Sequence, residues 1–272
     1  MFNKIKEAAD YLAEKTNNFK PKSGVILGTG LGDLVREVKI AHEIDYENIP
    51  HFPLSTLETH KGKLIFGYLE KIPVVIMQGR FHYYEGYDLN QVVLPVRVMK
   101  LLGIENLFVS NAAGGLDPKF KKGDLMIIND HINQFPGNPL VGKNIDELGV
   151  RFPDMSEPYD KDLIYAAEEI AKENNLDLKI GVYVGLPGPM LETPAEYKYL
   201  SIIGASAVGM STVPEIIAAK HMKLPCFACS IITDICYGEI KPVNLQDIIS
   251  VAMNAQPKLT LLFKHLINKI IT

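Results

Sequence analysis

The stretch GRFHYYEGY, residues 79–87, places a guanidinium (Arg80), an imidazole (His82) and a carboxylate (Glu85) directly after the apolar run IPVVIM. Such a run predicts a buried strand whose end delivers the polar groups to one place. Arginine offers a permanently charged fork matched to phosphate, and a neighbouring imidazole adds a further donor. Arg80 is one of only four arginines among 28 basic residues, so it does not read as a routine surface cation. Two other stretches suit an anion. GTGLG, 28–32, offers a glycine turn with backbone N–H groups and the Thr29 hydroxyl. GMSTVPE, 209–215, sets Ser211 just before a helix that TVPE is expected to open as a capping box, and helix N-termini favour negative charge. NAAGGL, 111–116, has side chains small enough for a ligand to touch the backbone at Ala112 and Ala113; its plainer reading is a tight turn.

Elements must bring these pieces together. Apolar, β-branched runs at 24–28, 63–69, 73–79, 106–114, 124–130, 179–185, 206–210 and 226–233 alternate with amphipathic helical stretches. That alternation predicts an α/β fold with a mostly parallel or mixed sheet between helices, which places ligands at strand carboxyl ends. TPAE, 193–196, predicts a second capping box, and DLNQ, 88–91, opens a helix that Pro95 should kink. PKLTLLFKHLINKI predicts a docked C-terminal helix, and the proline-bearing segment 131–160 a long ordered loop. No repeat or linker divides the chain, so one domain over 1–272 is expected.

Composition removes several functions. A net charge of −4 and a pI near 6.0 give no electrostatic hold on nucleic acid or an anionic membrane, so any phosphate site must be local. No run reaches the roughly 18 apolar residues of a membrane span, and the acidic N-terminal stretch is not that of a secretory signal. A cytoplasmic protein is expected. Cys226, Cys229 and Cys236 are too few for a disulfide framework, and CFAC lies in a strand-like run where residues three apart face opposite ways. Small core residues are the reading there. GTGLG also departs from the dinucleotide spacing G-x-G-x-x-G, which argues against an oxidoreductase.

Taken in order, GTGLG, STLETHKGKLIFG, GRFHYYEGY, SNAAGGL, GPMLETPAEY and VGMSTVPE closely resemble the trimeric purine nucleoside phosphorylases, from about residue 20 to the C-terminus. The resemblance implies a single-domain α/β fold with a central mixed sheet closing partly into a barrel. It implies a homotrimer that cleaves purine nucleosides with inorganic phosphate as co-substrate and with no metal or organic cofactor. By position, phosphate would be held by Thr29, His60, Arg80, His82, the backbone at Ala112 and Ser211, with Glu85 ordering the loop. Tyr84 and Met210 would line the ribose. Tyr183, Leu191 and Glu192 would face the base, where Glu192 accepts from the N1–H and 2-amino group of a 6-oxopurine.

Four positions depart from the family pattern. Asp234 stands where asparagine is common: ionised, it accepts from a 6-amino group, and protonated, it donates to N7 as a general acid. Leu245 falls near a histidine that meets the ribose 5′-hydroxyl, an apolar change suited to a 5′-methylthio group. Leu191 replaces an aromatic near the base, and Leu148 one that a neighbouring subunit lends to the ribose pocket. The pair Glu192 and Asp234 is read as favouring inosine and guanosine, with adenosine open. The rivals are a methylthioadenosine phosphorylase of the same fold and a non-catalytic nucleoside-binding protein.

Overall fold

The computed structural model describes residues 1–28, 32–54 and 62–269. In chain order the regular elements are α1 (Phe2–Lys15), β1 (Ser23–Leu27), β2 (Val38–Asp45), β3 (Lys63–Leu69), β4 (Ile72–Gln78), α2 (Leu89–Val92), α3 (Leu94–Leu102), β5 (Asn106–Gly115) and β6 (Leu125–Asn133). They continue with α4 (Lys161–Glu173), β7 (Leu178–Gly185), α5 (Pro194–Ile202), β8 (Ala207–Gly209), α6 (Val213–His221), β9 (Cys226–Ile235) and α7 (Leu245–Lys269).

The nine strands among the described residues form one mixed sheet in the order β2-β3-β4-β1-β5-β8-β7-β6-β9, and β9 also pairs with β5. That second pairing closes β5, β8, β7, β6 and β9 into a ring, which is the partial barrel expected. β1 runs parallel to β4 and β5, and β5 parallel to β9, so four strands deliver their carboxyl ends to the same side.

Period-2 alternation sends neighbouring side chains to two cores. Ile26 packs with Ile5, Leu12 and Met99 on the α1 and α3 side, whereas Val25 and Leu27 join Leu163, Leu259 and Phe263 on the α4 and α7 side. Phe108, Phe227 and Phe263 meet with ring centroids 5.9–6.3 Å apart, which staples α7 across β5 and β9. Burying each such ring contributes about 1.5–3 kcal/mol.

Five local expectations change. β2 escaped the sequence reading because its burial alternates around mostly exposed residues, as an edge strand with Lys39, Glu43 and Asp45 requires. NAAGGL is not a turn. It is the continuation of β5, and small residues are needed because β9 lies so close: a Cβ on Gly115 would sit 2.8 Å from Ile232 Cγ2. Around Pro95 the helix divides into α2 and α3 rather than kinking, with Val93 between them and the proline in the first turn of α3, where its missing N–H costs nothing. α7 starts at Leu245, twelve residues ahead of Pro257, which lies inside it. TPAE and DLNQ are capping boxes, but TVPE is not, for a reason found in the site. Segment 134–160 is irregular, and Cys226, Cys229 and Cys236 are buried free thiols.

Candidate active site

The carboxyl ends of β4, β5 and β9 and the residues after β8 surround a cavity of about 390 Å³. Arg80, two residues past β4, is 2% exposed. Its Nη1 donates to Thr212 Oγ1 at 3.4 Å and to Glu215 Oε1 at 3.3 Å, and its Nη2 donates to the Ser110 carbonyl. Gly28 must be glycine for this packing, since a Cβ there would lie 2.8 Å from Ser110 O and 3.4 Å from Arg80 Nη2.

Thr212 explains the failed capping box. Its backbone is at φ 70°, ψ −52°, and the Val213 N–H donates to the Ser211 carbonyl at 2.8 Å, closing a γ-turn ahead of α6. A β-branched residue at positive φ is strained by about 1–3 kcal/mol, and such strain gathers at functional sites. The turn aims Thr212 Oγ1 away from the helix N–H groups and toward Asn111 Nδ2, which donates to it at 2.9 Å. Glu215 likewise meets Arg80 instead of reaching back to the helix start. Ser211 is left facing the cavity beside the N-terminus of α6.

His82 stacks on Tyr84 at 4.6 Å, and Glu85 Oε1 accepts from both the His82 backbone N–H at 2.8 Å and its Nδ1 at 2.9 Å. Nδ1 is therefore the protonated nitrogen. Burial lowers the His82 pKa, with Glu85 opposing and Arg80 reinforcing the fall, so the ring is neutral near pH 7. Tyr84 and Met210 meet over Gly188, whose added Cβ would lie 3.1 and 2.4 Å from them.

Across the cavity, Asp234 Oδ1 accepts from Thr233 Oγ1 at 2.9 Å and Oδ2 from Cys236 Sγ at 3.2 Å. Glu192 is half-buried there, and burial, aided by the charges of Asp234 and Glu196, raises its pKa despite the Tyr197 hydroxyl. Ala112, Leu191 and Leu245 also line the cavity, Leu191 and Leu245 being largely exposed at its mouth.

One expectation is corrected. Tyr183 does not line the cavity: its side chain is 0% exposed and its hydroxyl accepts from the Ser211 N–H at 3.3 Å, beneath that residue. Leu148 is 8% exposed and packs in the core. Thr29 and His60 lie outside the described residues. Sequence reasoning missed Asn111, Thr212 and Glu215 as the brace of Arg80, and Cys236 and Tyr197 as neighbours of the carboxylates. Glu215 was visible in TVPE but was assigned to the cap.

Residues 22–268 match the model of the phosphorylase superfamily. The chain is 50% identical over 246 residues to purine nucleoside phosphorylase 1 of Geobacillus stearothermophilus, covering 90% of this chain and 89% of that one. The chain belongs to the purine nucleoside phosphorylase family. Among solved structures, isoform 2 of the Schistosoma mansoni purine nucleoside phosphorylase, in complex with cytosine and ribose-1-phosphate, superposes with TM-score 0.93 at 41% identity, covering 98% and 96% of the two chains. A Schistosoma mansoni purine nucleoside phosphorylase in complex with adenosine gives TM-score 0.91 at 42% identity, covering 97% and 96%. As a purine nucleoside phosphorylase, the chain is an enzyme that uses phosphate to split a purine from its sugar, and the cavity carries the two kinds of group this requires: a braced cation and carboxylates that can read a base. Among the described residues no group of three or more His, Cys, Asp and Glu gathers as a metal site, and no helix is long and apolar enough to cross a membrane.

Proposed function

We propose that this chain converts purine ribonucleosides and 2′-deoxyribonucleosides to the free base and pentose 1-phosphate, with 6-oxopurines favoured and no cofactor beyond the co-substrate phosphate. The observation that carries this reading is the Arg80 fork, fixed by Glu215 and Thr212, beside Ser211 at the start of α6 and opposite the carboxylates of Glu192 and Asp234.

The chemistry follows from charge. As the glycosidic bond stretches, positive charge grows on the ribose and negative charge on the purine. A phosphate anion held under the sugar by the donors of Arg80 and Ser211, with His82 Nε2 accepting from a phosphate hydroxyl and the Ala112 backbone beside it, stabilises the first. A donor from Asp234 at N7 stabilises the second. Phosphate is the nucleophile, so no covalent enzyme intermediate is needed, and holding it in place removes much of the entropic barrier. Tyr84 and Met210 pack the sugar, Glu85 holds the His82 tautomer, and Thr29 and His60 would complete the anion site. Tyr183 acts from below, through Ser211.

The test is phosphate-dependent loss of inosine, guanosine, adenosine and methylthioadenosine measured side by side. A 6-oxopurine nucleoside should be cleaved fastest, with little turnover without phosphate. Methylthioadenosine exceeding inosine about tenfold in kcat/KM would favour the second reading, which rests on exposed Leu245 and on Ile248 at the cavity rim; a one-methylene-scale apolar fit supplies a factor of that size. Binding without turnover at any phosphate concentration would favour a binding protein. A homotrimer in the cytoplasm completes the reading; exposed Val141, Val150 and Phe152, on one loop, support burial against another copy.

A further inference from the structure

Asp234 and Glu192 line the same cavity, and among the described residues neither forms a salt bridge with a lysine, arginine or histidine. The groups facing Asp234 are Thr233 from β9, Cys236 just past its end, Tyr197 from α5, and Glu192. Those facing Glu192 are Tyr197, Glu196 and Asp234. All are neutral donors or further acids. Glu192 shares one partly enclosed, largely apolar space with a second carboxylate and has no cation of its own, which disfavours its charged form. The Thr233 hydroxyl and the Cys236 thiol each donate to a different Asp234 oxygen, which fixes the plane of the carboxyl group without adding charge.

A purine's two faces make complementary demands. A 6-oxopurine offers N1–H as donor and O6 and N7 as acceptors; a 6-aminopurine offers N1 as acceptor and its amino group as donor. We infer that Asp234 and Glu192 hold one proton between them in the nucleoside complex, on Asp234 for a 6-oxopurine and on Glu192 for a 6-aminopurine. Exchanging the base moves that proton from one carboxyl to the other, and the charge of the pair stays at −1. Glu192, already displaced upward by burial, is suited to take it. The chain therefore binds both base classes. It turns adenosine over more slowly, because with Asp234 ionised nothing there donates to N7 as the base leaves.

This rests on the reading of the cavity as a purine nucleoside site, and the measurement separates the two. Inosine and adenosine are titrated calorimetrically into the full chain without phosphate, in buffers of different ionisation enthalpy, between pH 6 and 8. Each nucleoside should take up the same number of protons, and the ratio of their affinities should be flat with pH. Asp234→Asn supplies a permanent donor and removes one titrating carboxyl. In that variant adenosine should take up one more proton than inosine, and its relative affinity should fall toward tenfold per pH unit. A difference of one proton already in the parent chain, adenosine binding about 1,000-fold weaker than inosine, or an unchanged proton count in Asp234→Asn would overturn the inference. Failure of phosphate-dependent cleavage in the separate assay would instead strike the proposed reaction.

Discussion

Arg80 Nη1 lies 3.3 Å from Glu215 Oε1, and the two side chains are only 2% and 3% exposed. Glu215 Oε2 has no hydrogen-bond partner among the described residues. The cation proposed to hold phosphate is thus fixed by a charge that would be stranded without it.

Arg80→Ala should therefore damage fold and function together. Removing one partner of a buried pair costs about 3–5 kcal/mol. We expect a large drop in thermal midpoint, a raised phosphate KM and a fall in kcat of about 100-fold or more. Adding Glu215→Gln should recover much of the stability and none of the phosphate dependence. An unchanged phosphate KM in Arg80→Ala would mean that the anion binds elsewhere.

Tyr183→Phe distinguishes a brace from a base contact. Loss of the hydroxyl leaves the Ser211 N–H without its acceptor, at a cost of about 1–3 kcal/mol. The phosphate KM should rise and the inosine KM stay within about twofold, since the ring does not line the cavity. A rise confined to the nucleoside KM would restore Tyr183 to the base.

Thr212 carries strain while its hydroxyl meets Arg80, Asn111 and Ser211. Thr212→Val keeps the shape but strands Asn111 Nδ2, costing about 1–3 kcal/mol. Thr212→Gly loses the same acceptor but relaxes the positive φ. Glycine should thus be the more stable variant by denaturant unfolding, with phosphate binding weakened in both. Equal stability would show that the γ-turn is unstrained.

His131 should make the fold acid-sensitive. Burial pushes its pKa down to about 4, against the opposing charge of Asp130, and its Nδ1 lies 3.2 Å from the Tyr159 hydroxyl, which can donate to a neutral ring. Because the unfolded chain protonates this ring near pH 6.5, stability is full above that pH and is lost as pH falls toward 4, by roughly 2–3 kcal/mol. His131→Gln keeps an acceptor for Tyr159, and its unfolding free energy should fall less steeply over the same range. Parallel curves would place the sensitivity in another group.

What the sequence made legible follows from where its signals are local. The strand ends that deliver Arg80, Ala112 and Asp234 announce themselves as apolar runs, since burial on both faces leaves little choice of residue. β2 was silent because an edge strand with one wet face resembles a loop in composition. TVPE misled because a capping box and a buried ion pair use the same residues, and only the contact of Arg80 with Glu215, 135 positions apart, decides between them. Tyr183 could be placed near the site by its strand but not above or below Ser211, which depends on the register of β7 against β8.

The meeting of β5 with β9 has one more consequence. An added Cβ on Gly114 would stand 2.5 Å from Cys236 Sγ and 3.1 Å from Asp234 Oδ2. The seam that shuts the ring thus abuts the carboxyl proposed to sort one purine from another. A bulkier side chain at position 114 would press on the hoop and on that reader at once.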